Sequence, residues 1–195
     1  MQKVFIVGGT SGFGLSLAKS FNRENLVFVC GRKKSEVANS IILDMIDISK
    51  NTFNQYQPDI IINNAFDKND YIKSYQASIN VLKSSIAYFK DKQTGLIVMV
   101  NSYYGLNPDA KDPDYAAAKH GLKGYVDSVS MDAFLNNIRI MNIYPRAMKN
   151  TGMNAGRVDS EDLIDPDEVS DFVVSMAKTK SFYVSSAQFD RVRRK

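Results

Sequence analysis

Short apolar, β-branched runs alternate along the chain with longer amphipathic stretches. The short runs fall at 4–7, 26–30, 40–43, 59–62, 96–100, 138–143 and 182–184. Each is mostly apolar at successive positions, as a strand buried on both faces should be. Between them, the apolar positions recur at helical spacing over about 13–23, 49–55, 68–90, 112–136 and 166–178. In the last of these, Asp165 precedes Pro166 and Glu168 follows in the first turn, which is the composition of a helix start. Alternating strands and helices imply parallel pairing through right-handed crossovers. The expected fold is α/β: a doubly wound parallel sheet of about seven strands in a single domain, with helices on both faces. Ligands of such sheets sit outside the carboxyl ends of the strands, so the residues that follow each strand carry the functional information.

The first strand runs into Gly8-Gly9-Thr10-Ser11-Gly12-Phe13-Gly14, and the amphipathic run Leu15-Ser16-Leu17-Ala18 follows. Glycines at 8, 12 and 14 permit a tight turn that brings backbone close to a ligand. The unpaired N–H groups of the helix start would then face an anionic diphosphate. A tight turn with no ligand would use the same glycines. The spacing G-x-x-x-G-x-G differs from G-x-G-x-x-G but works the same way, and the absence of Gly-Lys-Ser/Thr disfavours a P-loop hydrolase.

The second strand ends in Val29-Cys30-Gly31, and three cations follow: Arg32, Lys33 and Lys34. A nicotinamide dinucleotide lacking the 2′-phosphate calls for a carboxylate here. Cations instead suit a 2′-phosphate, onto which Arg32 could fork, so NADP(H) is expected over NAD(H). A solvated basic loop would look the same. Asp44 ends the third strand and could meet an adenine edge. Asn63-Asn64-Ala65 ends the fourth and could line a cofactor cleft, although both are also turn formers.

Tyr115 and Lys119 stand four residues apart near the start of a helical run, with Ala116, Ala117 and Ala118 between them. Positions i and i+4 share a helix face, so a phenol and an ammonium lie side by side. A free phenol titrates near ~10 and a neighbouring cation lowers that value. Bringing it about three units down takes roughly 4 kcal/mol of differential stabilisation. A phenol so poised is a general acid and base for a carbonyl/alcohol pair. Alone, this spacing also describes an exposed Tyr–Lys pair. Ser102 follows the strand at 96–100, where its hydroxyl can bond a substrate oxygen. Asn80 lies within an apolar helical stretch, where an amide needs its hydrogen bonds satisfied.

In order, these motifs resemble the short-chain dehydrogenase/reductase family. The match runs through Gly8-x-x-x-Gly12-x-Gly14, Gly31-Arg32, Asp44-Met45-x-Asp47, Asn63-Asn64-Ala65, Asn80, Ser102-x-x-Gly105, Tyr115-x-x-x-Lys119 and Pro145. The resemblance implies a Rossmann-like catalytic domain over 1–190 and catalytic roles for Tyr115, Lys119, Ser102 and Asn80. Tyr115 would protonate the carbonyl oxygen. Lys119 would hold the nicotinamide ribose and lower the Tyr115 pKa. Ser102 would orient the carbonyl, and Asn80 would anchor a water feeding a proton relay through Lys119. It further implies that Gly8, Gly12 and Gly14 pass the pyrophosphate and that Arg32 meets the 2′-phosphate. Asp44 and Met45 would reach the adenine, and Asn64 and Ala65 the adenosine ribose. Thr10, Ser11 and Phe13 of the same turn, and Pro145, join the cofactor-binding set. Several features depart from the family. Phe66 stands where the glycine of Asn-Asn-Ala-Gly is usual, Arg146 replaces the glycine after Pro145, and Val7 replaces a hydroxyl residue. The segment between Asn80 and Ser102 is also short. The stretch 146–163 is expected to form a compact, mobile cover over the substrate pocket.

Composition adds exclusions. One cysteine and one histidine in 195 residues leave no disulfide framework and no paired-histidine metal motif, so no metal is expected. No apolar run reaches membrane-spanning length. The start of the chain shows no cleavage-site pattern, and a cytoplasmic location is expected. The net charge of +4 invites a nucleic-acid reading, but four of the last five residues are basic. That tail (191–195) carries the whole excess, and without a basic stripe no nucleic-acid partner is expected. His120 is read as a packed or surface residue and Cys30 as core.

The expected function is an NADP-dependent oxidoreductase acting on a ketone or secondary alcohol, with a small-molecule substrate and no membrane partner. The long helices are expected to pair chains into a homodimer or homotetramer. The alternative is a catalytically weak dinucleotide-binding regulatory or scaffold protein of the same fold. An epimerase or dehydratase would use the same Tyr/Lys pair but normally needs a larger substrate domain.

Overall fold

The periodicities resolve into seven strands and five α-helices in a computed structural model that describes residues 1–35, 37, 39–108, 111–149, 151 and 163–192. They are β1 (Lys3–Val7), α1 (Gly12–Asn22), β2 (Leu26–Gly31), β3 (Asn39–Ile42), α2 (Lys50–Tyr56), β4 (Ile60–Asn63), α3 (Tyr71–Lys92), β5 (Gly95–Val100), α4 (Pro113–Leu135), β6 (Ile138–Pro145), α5 (Pro166–Ala177) and β7 (Ser186–Phe189). The strands form one parallel sheet in the order β3-β2-β1-β4-β5-β6-β7. Chain order reverses between β1 and β4, which places the ligand crevice at their carboxyl ends.

Side-chain alternation along the strands builds a core on each face. Val4 and Ile6 of β1 join Leu17 and Phe21 of α1 and Val169 and Val173 of α5 on one face. Phe5 and Val7 point the other way, against Phe53 of α2, Leu82 and Phe89 of α3 and Val126 of α4. Both faces of β1, β4, β5 and β6 are covered, so these strands read as nearly continuous apolar runs. Helix starts follow their caps. The Asp70 and Asp112 carboxylates accept from the N–H groups of Lys73 and Tyr115, and these caps set where α3 and α4 begin.

The seventh strand differs from the expectation. The run 182–184 is no strand: Phe182 is exposed, and the sheet takes Ser186–Phe189 instead. β6 extends to Pro145, further than expected, and β7 pairs with its last four residues, Asn142↔Ser186 to Pro145↔Phe189. β7 is an edge strand with one neighbour, so pairing register decides its position and β-branched composition does not. The expected cover at 146–163 falls largely on residues outside the described set, as do 193–195 of the basic tail. No helix among the described residues is long and apolar enough to cross a membrane. None of their His, Cys, Asp and Glu side chains forms a group of three able to hold a metal ion.

Candidate active site

The turn after β1 is built as a cradle. Gly8 and Gly12 take left-handed φ values of +76° and +53°. A Cβ on Gly8 would stand 2.7 Å from the Ala65 backbone, so the turn lies flush against the loop after β4. Asn64 fixes that contact, its Nδ2 donating to the Gly8 carbonyl at 2.8 Å. No side chain caps the start of α1, so its first N–H groups are open to an anion.

Gly8, Thr10, Ser11, Arg32, Asp44, Met45, Asn64 and Ala65 all line one cavity of about 320 Å³, with Phe66 and Asp67 on its wall. The other expected cofactor residues lie outside that lining. Gly12 and Gly14 form the helix start behind it. Phe13 is buried in the core under α1, and Pro145 is buried at the end of β6. The basic cluster also differs from expectation. Lys33 and Lys34 are exposed and take no part in the lining. Arg32 pairs with Asp67 at 2.7 Å, so a carboxylate supplied by the loop after β4 balances the one cation of the trio that faces the cavity.

The second cluster lies at the carboxyl end of β5. Asn101 ties the end of β5 to α4: its Oδ1 accepts from Ser102 N at 2.9 Å and its Nδ2 donates to the Lys119 carbonyl at 3.2 Å. Gly105 makes the close approach possible, since a Cβ there would come within 2.7 Å of Asn101 Oδ1. Ser102, Tyr115 and Lys119 are thereby brought together and buried, at 7%, 8% and 3% exposure. Tyr115 hydrogen-bonds Ser102, yet burial dominates and pushes the phenol up to about 12. The expected acidification of Tyr115 is not met, because loss of solvation, reinforced by Tyr71, Asp112 and Tyr104, outweighs the Ser102 hydroxyl. Burial pulls the Lys119 ammonium down to about 7. Its Nζ lies 3.5 Å from the Val100 carbonyl and 3.8 Å from the Phe66 ring centroid.

Asn80 does not join this cluster. It is exposed on α3, and the inward position of that turn is Ser78, 2% exposed, whose carbonyl accepts from Asn63 Nδ2 at 3.2 Å. Ala77, Ile79 and Val81 are buried around it as well, so Asn80 lies on the solvent side of this turn. Sequence reasoning also missed the aromatic wall. Phe66, Tyr71 and Tyr104 pack on the Tyr115 ring, with centroids at 5.6, 5.3 and 6.2 Å. The Tyr71 hydroxyl donates to Asp112 Oδ2 at 2.8 Å, tying this wall to the cap of α4. Phe66 therefore touches both sites, lining the cavity on one side and facing Lys119 on the other. Arg146 is spent on structure, paired with Asp190 at 2.8 Å and stacked 4.4 Å over Tyr103. Cys30 is fully buried, which pushes its thiol up to about 12 and leaves it unreactive. His120 stays tied to its own helix, its Nδ1–H donating to the Ala116 carbonyl at 2.9 Å.

Comparison with known proteins agrees with the fold described above. The short chain dehydrogenase family model matches residues 48–162. The chain is 25% identical to 3-oxoacyl-(acyl-carrier-protein) reductase FabG of Chlamydia trachomatis over 180 residues, covering 74% of this chain and 73% of that protein. It is 22% identical to 3-ketodihydrosphingosine reductase of Bacteroides thetaiotaomicron over 185 residues, covering 82% and 68%. Among solved structures, a short-chain dehydrogenase/reductase from Vibrio parahaemolyticus aligns with a TM-score of 0.81 at 21% identity, over 97% of this chain and 100% of that one. ElxO with NADP bound aligns with a TM-score of 0.82 at 19% identity, over 97% and 98%. These structural likenesses establish the shared fold.

Proposed function

The chain belongs to the short chain dehydrogenase family, and on that premise we propose that it is an NADP-dependent oxidoreductase interconverting a ketone and a secondary alcohol, with Tyr115 as general acid and base. The observation that carries this reading is the burial of Tyr115, Ser102 and Lys119 in one cluster beside a glycine-built cleft. The cleft suits the adenosine and pyrophosphate half of a dinucleotide. Its turn has space that only glycine leaves, and its helix start offers open N–H donors. Gly8, Ser11 and the start of α1 would hold the pyrophosphate, Arg32 a 2′-phosphate, Asp44 and Met45 the adenine, and Asn64 and Ala65 the ribose. The bound dinucleotide supplies the hydride.

The protein's own residues handle the oxygen and its proton. Ser102 Oγ and the Tyr115 hydroxyl both turn to a carbonyl oxygen that enters between them. Ser102 donates and fixes its orientation. The Tyr115 phenol is protonated throughout the neutral range, so it is ready to act as an acid. Its O–H bond breaks as the new O–H bond forms on the substrate, and Lys119 stabilises the tyrosinate left behind. Asn101 is a positioning residue that keeps Ser102 and α4 in register.

Carbonyl reduction tests this directly. Loss of NADPH absorbance with a panel of small ketones, abolished in Tyr115→Phe, supports the enzyme. The relatives named as reductases of 3-keto compounds make 3-oxo substrates the first choice for that panel. A second reading, a catalytically weak dinucleotide-binding protein, is favoured by one observation: the Phe66 ring lies against Lys119, where the resemblance calls for ribose. Tight NADPH binding without turnover on any carbonyl supports that reading. We also propose self-association through α3 and α4, whose surfaces expose Ile72, Met131 and Leu135.

A further inference from the structure

The wall of the cleft carries Arg32 and Lys73 as cations and Asp44, Asp67 and Asp70 as carboxylates. Its chemistry is therefore less basic than the sequence around Arg32 suggests. The Arg32–Asp67 pair is central, with Nη1 and Oδ2 2.7 Å apart. Its two halves are held very differently. Asp67 is fixed on every side. Its Oδ1 accepts from the backbone N–H and the Nδ2 of Asn69 at 3.0 and 2.9 Å. Its own N–H donates to Ser74 Oγ at 2.8 Å, and its carbonyl accepts from the same hydroxyl at 3.1 Å. Arg32, by contrast, has a side chain 69% exposed against 31% for Asp67. The carboxylate is the anchored partner and the guanidinium the movable one.

We propose that Asp67 is a selectivity-determining residue of the dinucleotide cleft: its anchored carboxylate competes with a 2′-phosphate for Arg32 and so lowers the preference for NADP(H) over NAD(H). This rests on the reading above that a dinucleotide occupies the cleft. A 2′-phosphate must draw Arg32 away from Asp67 or share it with a like charge held close by, and either costs affinity. A ribose with a free 2′-hydroxyl brings no charge and leaves the pair intact. Arg32 supplies the attraction for the phosphate and Asp67 limits it. The local sequence hides this, because the carboxylate arrives from the loop after β4, 35 positions further along the chain.

Calorimetric titration of the whole chain with NADP⁺ and NAD⁺ tests the proposal, using wild type, Asp67→Asn and Asp67→Glu. Asparagine keeps an acceptor for Asn69 and removes the charge. Asp67→Asn is expected to tighten NADP⁺ binding by about fivefold while NAD⁺ changes by less than about twofold. Asp67→Glu, which keeps the charge, should keep the wild-type ratio. Asp67→Ser gives the same readout if the asparagine variant melts early. An unchanged or lowered ratio in the neutral variants, with both nucleotides still bound, overturns the role of Asp67 and leaves the cofactor reading standing. If neither nucleotide binds the wild type, the cofactor reading fails and the proposal fails with it.

Discussion

The Lys119 ammonium lies 3.8 Å from the centre of the Phe66 ring, buried and facing the ring's electron-rich surface. Family resemblance calls for a glycine at position 66, which would leave that face of Lys119 bare. A buried cation against an aromatic face gains up to about 2 kcal/mol. The same ring also forms an edge contact with Tyr115 and lines the cofactor cleft. One side chain thus joins two sites that a dinucleotide would have to span.

Phe66→Ala should therefore tighten dinucleotide binding. The wild-type ring must leave Lys119 before a ribose can reach it, and the lost contact opposes binding by about tenfold. Calorimetry with NADP⁺ and NAD⁺ should show both tightened alike, since the Lys119 contact that the ring gives up is the same for either nucleotide. Weaker binding of both would mean that the ring supports the ligand and does not exclude it.

Tyr115→Phe should reduce kcat for carbonyl reduction by about 10² to 10⁴ and leave the dinucleotide Kd within about twofold. The substitution removes the proton donor but keeps the ring that packs on Phe66, Tyr71 and Tyr104. Steady-state kinetics beside a binding titration separate the two effects. Full activity in this variant would remove the general-acid role.

Much of this architecture is legible from the chain, because a strand buried on both faces writes its apolar pattern continuously. β7 is not, since an edge strand takes its place from the neighbour it pairs with. The Ser102, Tyr115 and Lys119 cluster follows from local spacing on β5 and α4. Two other features depend on contacts between distant segments. Asp67 neutralises Arg32 from another loop, and Asn101 joins the β5 end to α4 through one amide. Asn80 was legible as a residue but not as a direction, because the helix phase that turns Ser78 inward is set by packing. The electrostatics were misread for a related reason. Proximity of Lys119 and Tyr115 could be seen in the spacing, but the depth of burial that outweighs it could not.

Burial of Lys119 predicts a pH signature in stability. Its ordinary value is 10.5, and burial lowers it to about 7. Between those limits the unfolded chain binds a proton that the folded chain does not, so this group makes stability rise with pH from about 7 to about 10.5. Tyr115 has the opposite sign. Its value rises from 10.0 to about 12, the folded chain holds the extra proton there, and stability falls across that higher window. Urea midpoints of wild type and Lys119→Met should differ most at and below about pH 7, with the methionine variant more stable, and should converge only as the pH reaches about 10.5. Parallel curves would place the amine in water.

The glycines offer a paired test of the cradle. A Cβ on Gly14 would stand 2.0 Å from the Gly8 carbonyl oxygen and 2.6 Å from Asn64 Nδ2. Gly14→Ala must push the turn away from α1 and break the bond by which Asn64 holds Gly8. It should cost about 1–3 kcal/mol of stability and weaken both dinucleotides more than about tenfold. Gly124 is the control: it is exposed within α4, with nothing inside 4 Å of an added Cβ. Gly124→Ala should raise stability by about 0.5–1 kcal/mol, because alanine restricts the unfolded chain and favours the helix. Thermal melts read the stabilities and a NADP⁺ titration reads the cleft. If both variants lost stability equally, general helix strain and not the closeness of the Gly8 turn would govern position 14.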